Sequence, residues 1–106
     1  MNEIEKLYKN AGVGYLMYVV DTFPPVEYPQ IDFTAEKQLE LIKWLSKRRL
    51  LNVVFNNDKS TYQLFNNKCT GSFCSDLATA IATLVQCELD FCTEEERKQI
   101  RDILKG

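Results

Sequence analysis

Four cysteines carry the most versatile chemistry in this chain, and they form two motifs with four residues inside each: Cys69 with Cys74, and Cys87 with Cys92. Paired short cysteine motifs are a common ligand set for tetrahedral zinc. The segment between the motifs is predicted to be helical, however, and a rise of 1.5 Å per residue places Cys74 and Cys87 roughly 20 Å apart. Four thiolates at that spacing do not meet at one ion. We therefore expect free thiols, without a metal or a cofactor.

Histidine, the usual general base near neutral pH and the commonest metal ligand, is absent from the sequence. Catalytic dyads and triads built on histidine are therefore excluded. The carboxylates that might replace it are scattered, and we expect them to be solvated: Asp21, Glu27, Asp32, Asp58, Asp76, Glu88 and Asp90. Phosphate-binding GxxxxGK[ST] and GxGxxG motifs are also absent. The sequence predicts a protein that is not an enzyme.

A basic cluster, Lys43, Lys47, Arg48 and Arg49, precedes a predicted hairpin. Cations suit the carboxyl end of a helix, so one interpretation is helix termination with solvated side chains. The other is contact with RNA, DNA or an acidic protein. Both remain open at this point.

The same predicted helix has an apolar stripe formed by Ala35, Leu39, Ile42 and Leu45. Trp44 lies beside this stripe, where we expect it to be half exposed at the edge of the core. Its alternative role is that of an interface anchor, since Trp and Arg are enriched at binding hot spots. Asp58, Glu94 and Glu95 fall in a predicted turn and at a predicted helix start. These three carboxylates are candidate contacts to a basic partner.

The charge balance limits the classes of partner. The formal net charge is −2, which gives no global positive field for nucleic acid, so direct nucleic-acid binding is possible only at a local patch. The first twenty residues carry Glu3 and Glu5 and no apolar run of signal-peptide length, and the other apolar stretches are too short to cross a bilayer. We expect a cytoplasmic protein without membrane contact.

Helical periodicity and capping residues predict four helices that would position these side chains. Asn2 and Thr34 are expected to cap the first two. A third is expected from about Phe73 to Leu89, with Phe73 on the apolar face that it turns to the core. Thr93 with Glu96 three residues later forms a capping-box pattern that opens the last.

Three segments have the composition of strands: residues 15–20, 50–55 and 61–65. The turn-forming residues 56–60 join the last two into a hairpin. The predicted order is α-β-α-β-β-α-α, in a single α+β domain spanning residues 1–106, with an antiparallel hairpin or sheet packed against helices. A length of 106 residues with 45% hydrophobic and 26% charged residues is typical of one globular domain.

Three blocks resemble small proteins encoded by phages and prophages of Firmicutes. They read MNEIEKLYKNAG at 1–12, FTAEKQLELIKWL at 33–45, preceded by Tyr28-Pro29, and TEEERKQIRDIL at 93–104. The resemblance implies a non-enzymatic early phage product that occupies a host macromolecule. One such role is anti-CRISPR inhibition of a type II RNA-guided nuclease, whose basic channel attracts an acidic partner.

Two functions of different classes follow from these observations. The first is antagonism of a host defence system by binding a CRISPR nuclease or its guide-RNA assembly, through the carboxylates if the DNA channel is blocked and through the basic cluster if guide RNA is contacted. The second is an accessory role in phage replication or transcription, with a helicase, a polymerase or DNA as the partner. A small enzyme is the least favoured alternative, and the oligomeric state stays open.

Overall fold

The computed structural model describes residues 2–13 and 31–106. Within these ranges the helices and strands follow in the order α1 Glu3–Ala11, α2 Ala35–Arg48, β1 Asn52–Asn56, β2 Thr61–Phe65, α3 Leu77–Leu89 and α4 Glu94–Lys105. The predicted α+β class is confirmed. The predicted strand at 15–20 lies outside the described residues.

Local side-chain caps start three of the helices where the sequence predicts. Asn2 Oδ1 accepts a hydrogen bond from the Glu5 amide at 2.9 Å, and Thr34 Oγ1 accepts one from the amide of the residue three places on. The capping box of α4 is complete, because Thr93 Oγ1 accepts from the Glu96 amide while a Glu96 carboxylate oxygen accepts from the Thr93 amide. These predictions are confirmed.

The start of α3 differs from the prediction by four residues. Asp76, not a residue near Phe73, caps this helix by accepting from the Thr79 amide at 2.7 Å. The residues before Asp76 are not helical because Cys74 pairs with Tyr62 on the edge of β2 that faces away from β1. Phe73 is consequently exposed instead of facing the core.

The buried face of α2 also differs from the prediction. The expected stripe placed Leu39 inward, but Leu39 is 52% exposed, and the helix buries Leu41, Trp44 and Leu45. These three residues lie at the i, i+3 and i+4 positions of one face, which packs against α3 and α4. The expectation that Trp44 is half exposed is therefore wrong, since only 9% of it is accessible.

The predicted hairpin is confirmed, with β1 two residues shorter at its start than expected. Antiparallel pairing runs from Asn52 opposite Phe65 to Asn56 opposite Thr61. Asn56 Oδ1 accepts from the Asp58 amide at 3.1 Å, which folds the turn between the strands. The hairpin presents β2 to the helices and β1 to the outside.

Helix α3 forms the centre of the core. Ala80, Ile81, Ala82, Leu84 and Val85 are all fully buried, so the helix is enclosed on most of its circumference, and α1, α2 and β2 pack around it. Among the described residues, every helix falls short of the length and apolarity needed to cross a membrane.

Candidate interaction surface

Two residues of the predicted basic cluster, Arg48 and Arg49, donate hydrogen bonds to a buried carboxylate. Glu88, in the last turn of α3, has no exposed surface. Its Oε2 accepts from Arg48 Nε at 2.9 Å, and its Oε1 accepts from Arg49 Nε and from Asn66 Nδ2, each at 3.0 Å. One carboxylate therefore joins the end of α2, the end of α3 and the exit from the hairpin.

The Glu88 carboxylate is ionised in the folded protein. Burial by itself raises the pKa of a carboxyl group, but the hydrogen bonds from Arg48, Asn66 and Arg49, with the Arg49 charge, outweigh burial and hold the pKa of Glu88 below its ordinary value. A buried charge is tolerated when it is paired and hydrogen-bonded in this way. The expectation that Glu88 is a solvated surface carboxylate is wrong.

Arg48 makes two further contacts. It pairs with Glu96 of the α4 capping box, and its guanidinium lies 5.0 Å from the centroid of the Trp44 ring. Trp44 Nε1 donates to Gln99 Oε1 at 2.9 Å. Trp44, which was predicted as a possible interface anchor, therefore links α2 to α4 within the fold.

The other arginines are also engaged within the fold. Arg97 donates to the Leu89 carbonyl at 2.7 Å, and Arg101 donates to the Ala11 carbonyl at 3.5 Å. These two with Arg48 and Arg49 are the four arginines of the sequence. Of the predicted basic cluster, Lys43 and Lys47 remain exposed, one helical turn apart on α2.

The predicted acidic residues at the start of α4 belong to a surface that we name the acidic turn: Asp90, Phe91, Glu94 and Glu95. All four are exposed, and Phe91 leaves 48% of its surface accessible. An exposed aromatic ring thus lies within four residues of three exposed carboxylates, one in the connection and two in the first turn of α4. The sequence analysis selected Glu94 and Glu95 but missed Phe91.

Main-chain bonds fix the acidic turn over the buried ion pair. The Phe91 amide donates to the Glu88 carbonyl at 2.9 Å, and the Cys92 thiol donates to the same carbonyl at 3.1 Å. The capping box holds the next residues. Lys68 Nζ lies 5.0 Å from the centroid of the Phe91 ring, so one face of the ring already carries a cation. The turn is therefore a preorganised surface.

Asp58, the third predicted acidic candidate, lies elsewhere. It is exposed in the turn between β1 and β2, whereas Asn66 at the opposite end of β2 contacts Glu88. The five residues of β2 span about 17 Å at 3.4 Å per residue. The structure thus brings Glu94 and Glu95 together and leaves Asp58 apart from them.

The expectation of four free thiols is wrong for two of the cysteines. Cys69 and Cys87 form a disulfide, because the tight turn after β2 places Cys69 against the last turn of α3. Asn66 supports this turn by accepting from the Cys69 amide at 2.7 Å. Cys74 and Cys92 are free, and burial is the main cause that raises the pKa of the Cys92 thiol.

No group of three or more potential metal-ligating side chains forms within residues 2–13 and 31–106. Comparisons of the chain with protein-family models, with curated proteins and with solved structures find no match. The choice of the candidate surface therefore rests on its geometry.

Proposed function

We propose that this chain is a phage-encoded, non-enzymatic binding protein that antagonises a host defence system by occupying a basic host protein, specifically a type II CRISPR nuclease in the host cytoplasm. The observation that carries the proposal is the acidic turn, in which exposed Phe91 lies within four residues of the exposed side chains of Asp90, Glu94 and Glu95. The phage origin rests on the resemblance of the three sequence blocks.

An exposed aromatic ring close in sequence to three exposed carboxylates suits a basic protein surface. The ring supplies apolar contact area at low entropic cost, and the carboxylates steer the encounter and pair with lysines and arginines of the partner. A nuclease that holds guide RNA and DNA presents such a basic channel. The carboxylates would occupy positions that nucleic-acid phosphates otherwise take.

The placement of the arginines favours protein contact over RNA contact. The Nε atoms of Arg48 and Arg49 are bonded to Glu88, so neither Nε is available to a phosphate unless a buried ion pair breaks. Within the predicted basic cluster, a guide-RNA contact would depend mainly on Lys43 and Lys47, and the Lys43 ammonium lies 3.5 Å from the Glu40 carboxylate. The acidic turn is therefore the better candidate surface.

The carboxylate of Glu88 already accepts three hydrogen bonds within the fold, which supports a non-enzymatic role. A catalytic carboxyl group needs access to substrate and a pKa near the working pH. Glu88 is fully buried, its pKa is lowered, and three donors occupy its oxygens. Its chemistry is structural.

Binding can be tested with purified protein and a type II nuclease loaded with guide RNA. The variant Phe91→Ala/Glu94→Gln/Glu95→Gln should weaken binding by at least about tenfold, because hot-spot side chains each contribute about 1–2 kcal/mol or more. Asp58→Asn is the matched control on the distant hairpin turn and should bind as the unmodified chain does. Equal affinity of the triple variant and the unmodified chain would contradict the proposal.

The triple variant needs a stability control, because Glu94 and Glu95 also lie at the positive end of the α4 dipole. Glutamine keeps the shape of each side chain, and thermal unfolding reports whether the fold persists. If the unmodified chain binds no nuclease but is captured with a helicase or polymerase from infected cells, the replication or transcription role replaces the proposed one.

A further inference from the structure

The outer strand of the hairpin, β1, has one edge that is unpaired among the described residues. Among residues 2–13 and 31–106, β1 pairs with β2 alone. The opposite edge of β2 is occupied, since Tyr62 and Cys74 exchange main-chain hydrogen bonds at 2.7 and 2.8 Å, and the Gly71 amide donates to the Leu64 carbonyl at 3.0 Å. The described part of the sheet therefore has its unpaired edge at β1.

The hydrogen-bond pattern identifies which groups that edge presents. Main-chain groups of an antiparallel strand point alternately to its two neighbours. Because Tyr62 and Leu64 point away from β1, their opposite residues, Phe55 and Val53, also direct their N–H and C=O groups away from β2. The outer edge of β1 thus offers two donors and two acceptors, at Val53 and Phe55.

The side chains along this edge are apolar and accessible. Val53 is 53% exposed and Phe55 is 50% exposed, and both lie on the sheet face that carries buried Leu64. The strand reads Asn-Val-Val-Phe-Asn, without the charged residue or proline that protects many natural edge strands. An edge with this composition favours pairing with another strand.

We propose that the occupant is β1 of a second copy of this chain, paired antiparallel about a twofold axis through Val54. In this register Val53 of each copy lies opposite Phe55 of the other, so the two outward donors and two outward acceptors of each strand are all used, giving four main-chain bonds. Val54 lies opposite Val54, and Asn52 opposite Asn56. This inference is independent of the proposed function.

The sequence of β1 makes a second copy a fitting occupant. The polar–apolar pattern Asn-Val-Val-Phe-Asn reads the same in both directions, so antiparallel self-pairing matches apolar residues with apolar residues and amides with amides. Aromatic–β-branched pairs such as Phe55 with Val53 stabilise antiparallel strands. The strand carries no charge, so no like charges meet within the pairing.

Sedimentation of the full chain over a range of concentrations tests the interface. The unmodified chain should sediment as a dimer, and Val54→Lys should be a monomer because it places two ammonium groups opposite each other across the axis. Leu39→Lys is the matched control, since Leu39 is 52% exposed but lies on α2, and it should remain dimeric. A monomeric unmodified chain, or a dimeric Val54→Lys variant, would overturn the proposal.

Cysteine cross-linking tests the register in a Cys74→Ser/Cys92→Ser background. Val54→Cys should form an interchain disulfide on mild oxidation, because side chains directly opposite in a pair that exchanges no main-chain bonds have Cβ atoms about 4.5–5.5 Å apart, within reach of a disulfide after small shifts. Val53→Cys should cross-link much more slowly, since the two introduced thiols are then offset by two residues. Faster cross-linking at position 53, or none at position 54, would overturn the register and with it the twofold pairing.

Discussion

Arg48 Nε lies 2.9 Å from Oε2 of Glu88, forty residues away in the sequence. Through this contact the Arg48 guanidinium, at the end of α2, stabilises the fold. The negative charge of Glu88 is held in the last turn of α3, next to the turn between α3 and α4. The Glu88 carboxylate also commits part of the basic cluster, for which nucleic-acid contact was one of two interpretations, to bonds within the fold. The acidic turn is attached to the same residue, since the Phe91 amide and the Cys92 thiol donate to the Glu88 carbonyl.

Removing the Glu88 carboxylate should strongly destabilise the fold. Glu88→Ala leaves Arg48 and Arg49 without their shared partner, and breaking a buried pair costs about 3–5 kcal/mol. Both arginines are partly exposed, so we expect a loss near the lower limit, about 3 kcal/mol, measured by urea unfolding. Glu40→Ala removes the partner of an exposed lysine and should cost less than about 1 kcal/mol. Equal losses in the two variants would contradict the structural role of Glu88.

Acid should destabilise the protein in part through Glu88. The pKa of this carboxyl is lower in the folded chain than its unfolded value of about 4.3, so its contribution is complete above that value and is lost as the pH falls through the folded pKa. The melting temperature should therefore decrease as the pH is lowered below about 5. In the Glu88→Gln variant this decrease of the melting temperature should be smaller. Parallel curves for the two proteins would rule out this linkage.

Reduction should destabilise the protein through the disulfide. Cys69 and Cys87 are 18 residues apart, and closing a loop of this size in the unfolded chain is worth roughly 3 kcal/mol. Urea unfolding with and without reductant should show this difference. Cys74→Ser should keep the sensitivity to reductant, and Cys87→Ser should abolish it. Since the reducing cytoplasm disfavours disulfides, thiol alkylation in intact host cells followed by mass spectrometry will report the state of the pair there.

Features that depend on neighbouring residues were predictable from the sequence. Asn2, Thr34 and Thr93 cap their helices because each side chain bonds to an amide only three residues away. The hairpin was predictable for the same reason. The start of α3 was not, because pairing of Cys74 with Tyr62 competes with the helix and depends on the position of β2.

The side-chain contacts that shape the candidate surface could not be predicted from the local sequence pattern, because they join residues that are distant in the sequence. Nothing near Arg48 in the sequence indicates Glu88, although one signal was present: Glu88 is the single charged residue within α3, a helix too apolar to have a solvated side. Phe91 could have been noticed as an aromatic residue in an acidic connection. The accessibility of β1 was hidden because a valine-rich strand predicts burial, whereas α3 covers β2 and leaves β1 outside.

The Phe91 ring should contribute to binding independently of charge. Phe91→Ala should weaken nuclease binding at high salt as well as at low salt, because apolar contact is little affected by screening. Glu94→Gln/Glu95→Gln should lose most of its effect at high salt, since exposed charges are screened beyond about 10 Å at 0.1 M. Titrations at two salt concentrations check this, and identical salt dependence of the two variants would contradict the division of roles.

Plating efficiency of a phage provides the most direct test of the proposed function. The host is a Firmicute with an active type II CRISPR system targeted against that phage, and it expresses the unmodified chain, the Phe91→Ala/Glu94→Gln/Glu95→Gln variant or Asp58→Asn. We predict that the unmodified chain and Asp58→Asn restore plaques and that the triple variant, present at equal abundance, does not. Failure of the unmodified chain to restore plaques, or full restoration by the triple variant, would contradict inhibition through the acidic turn.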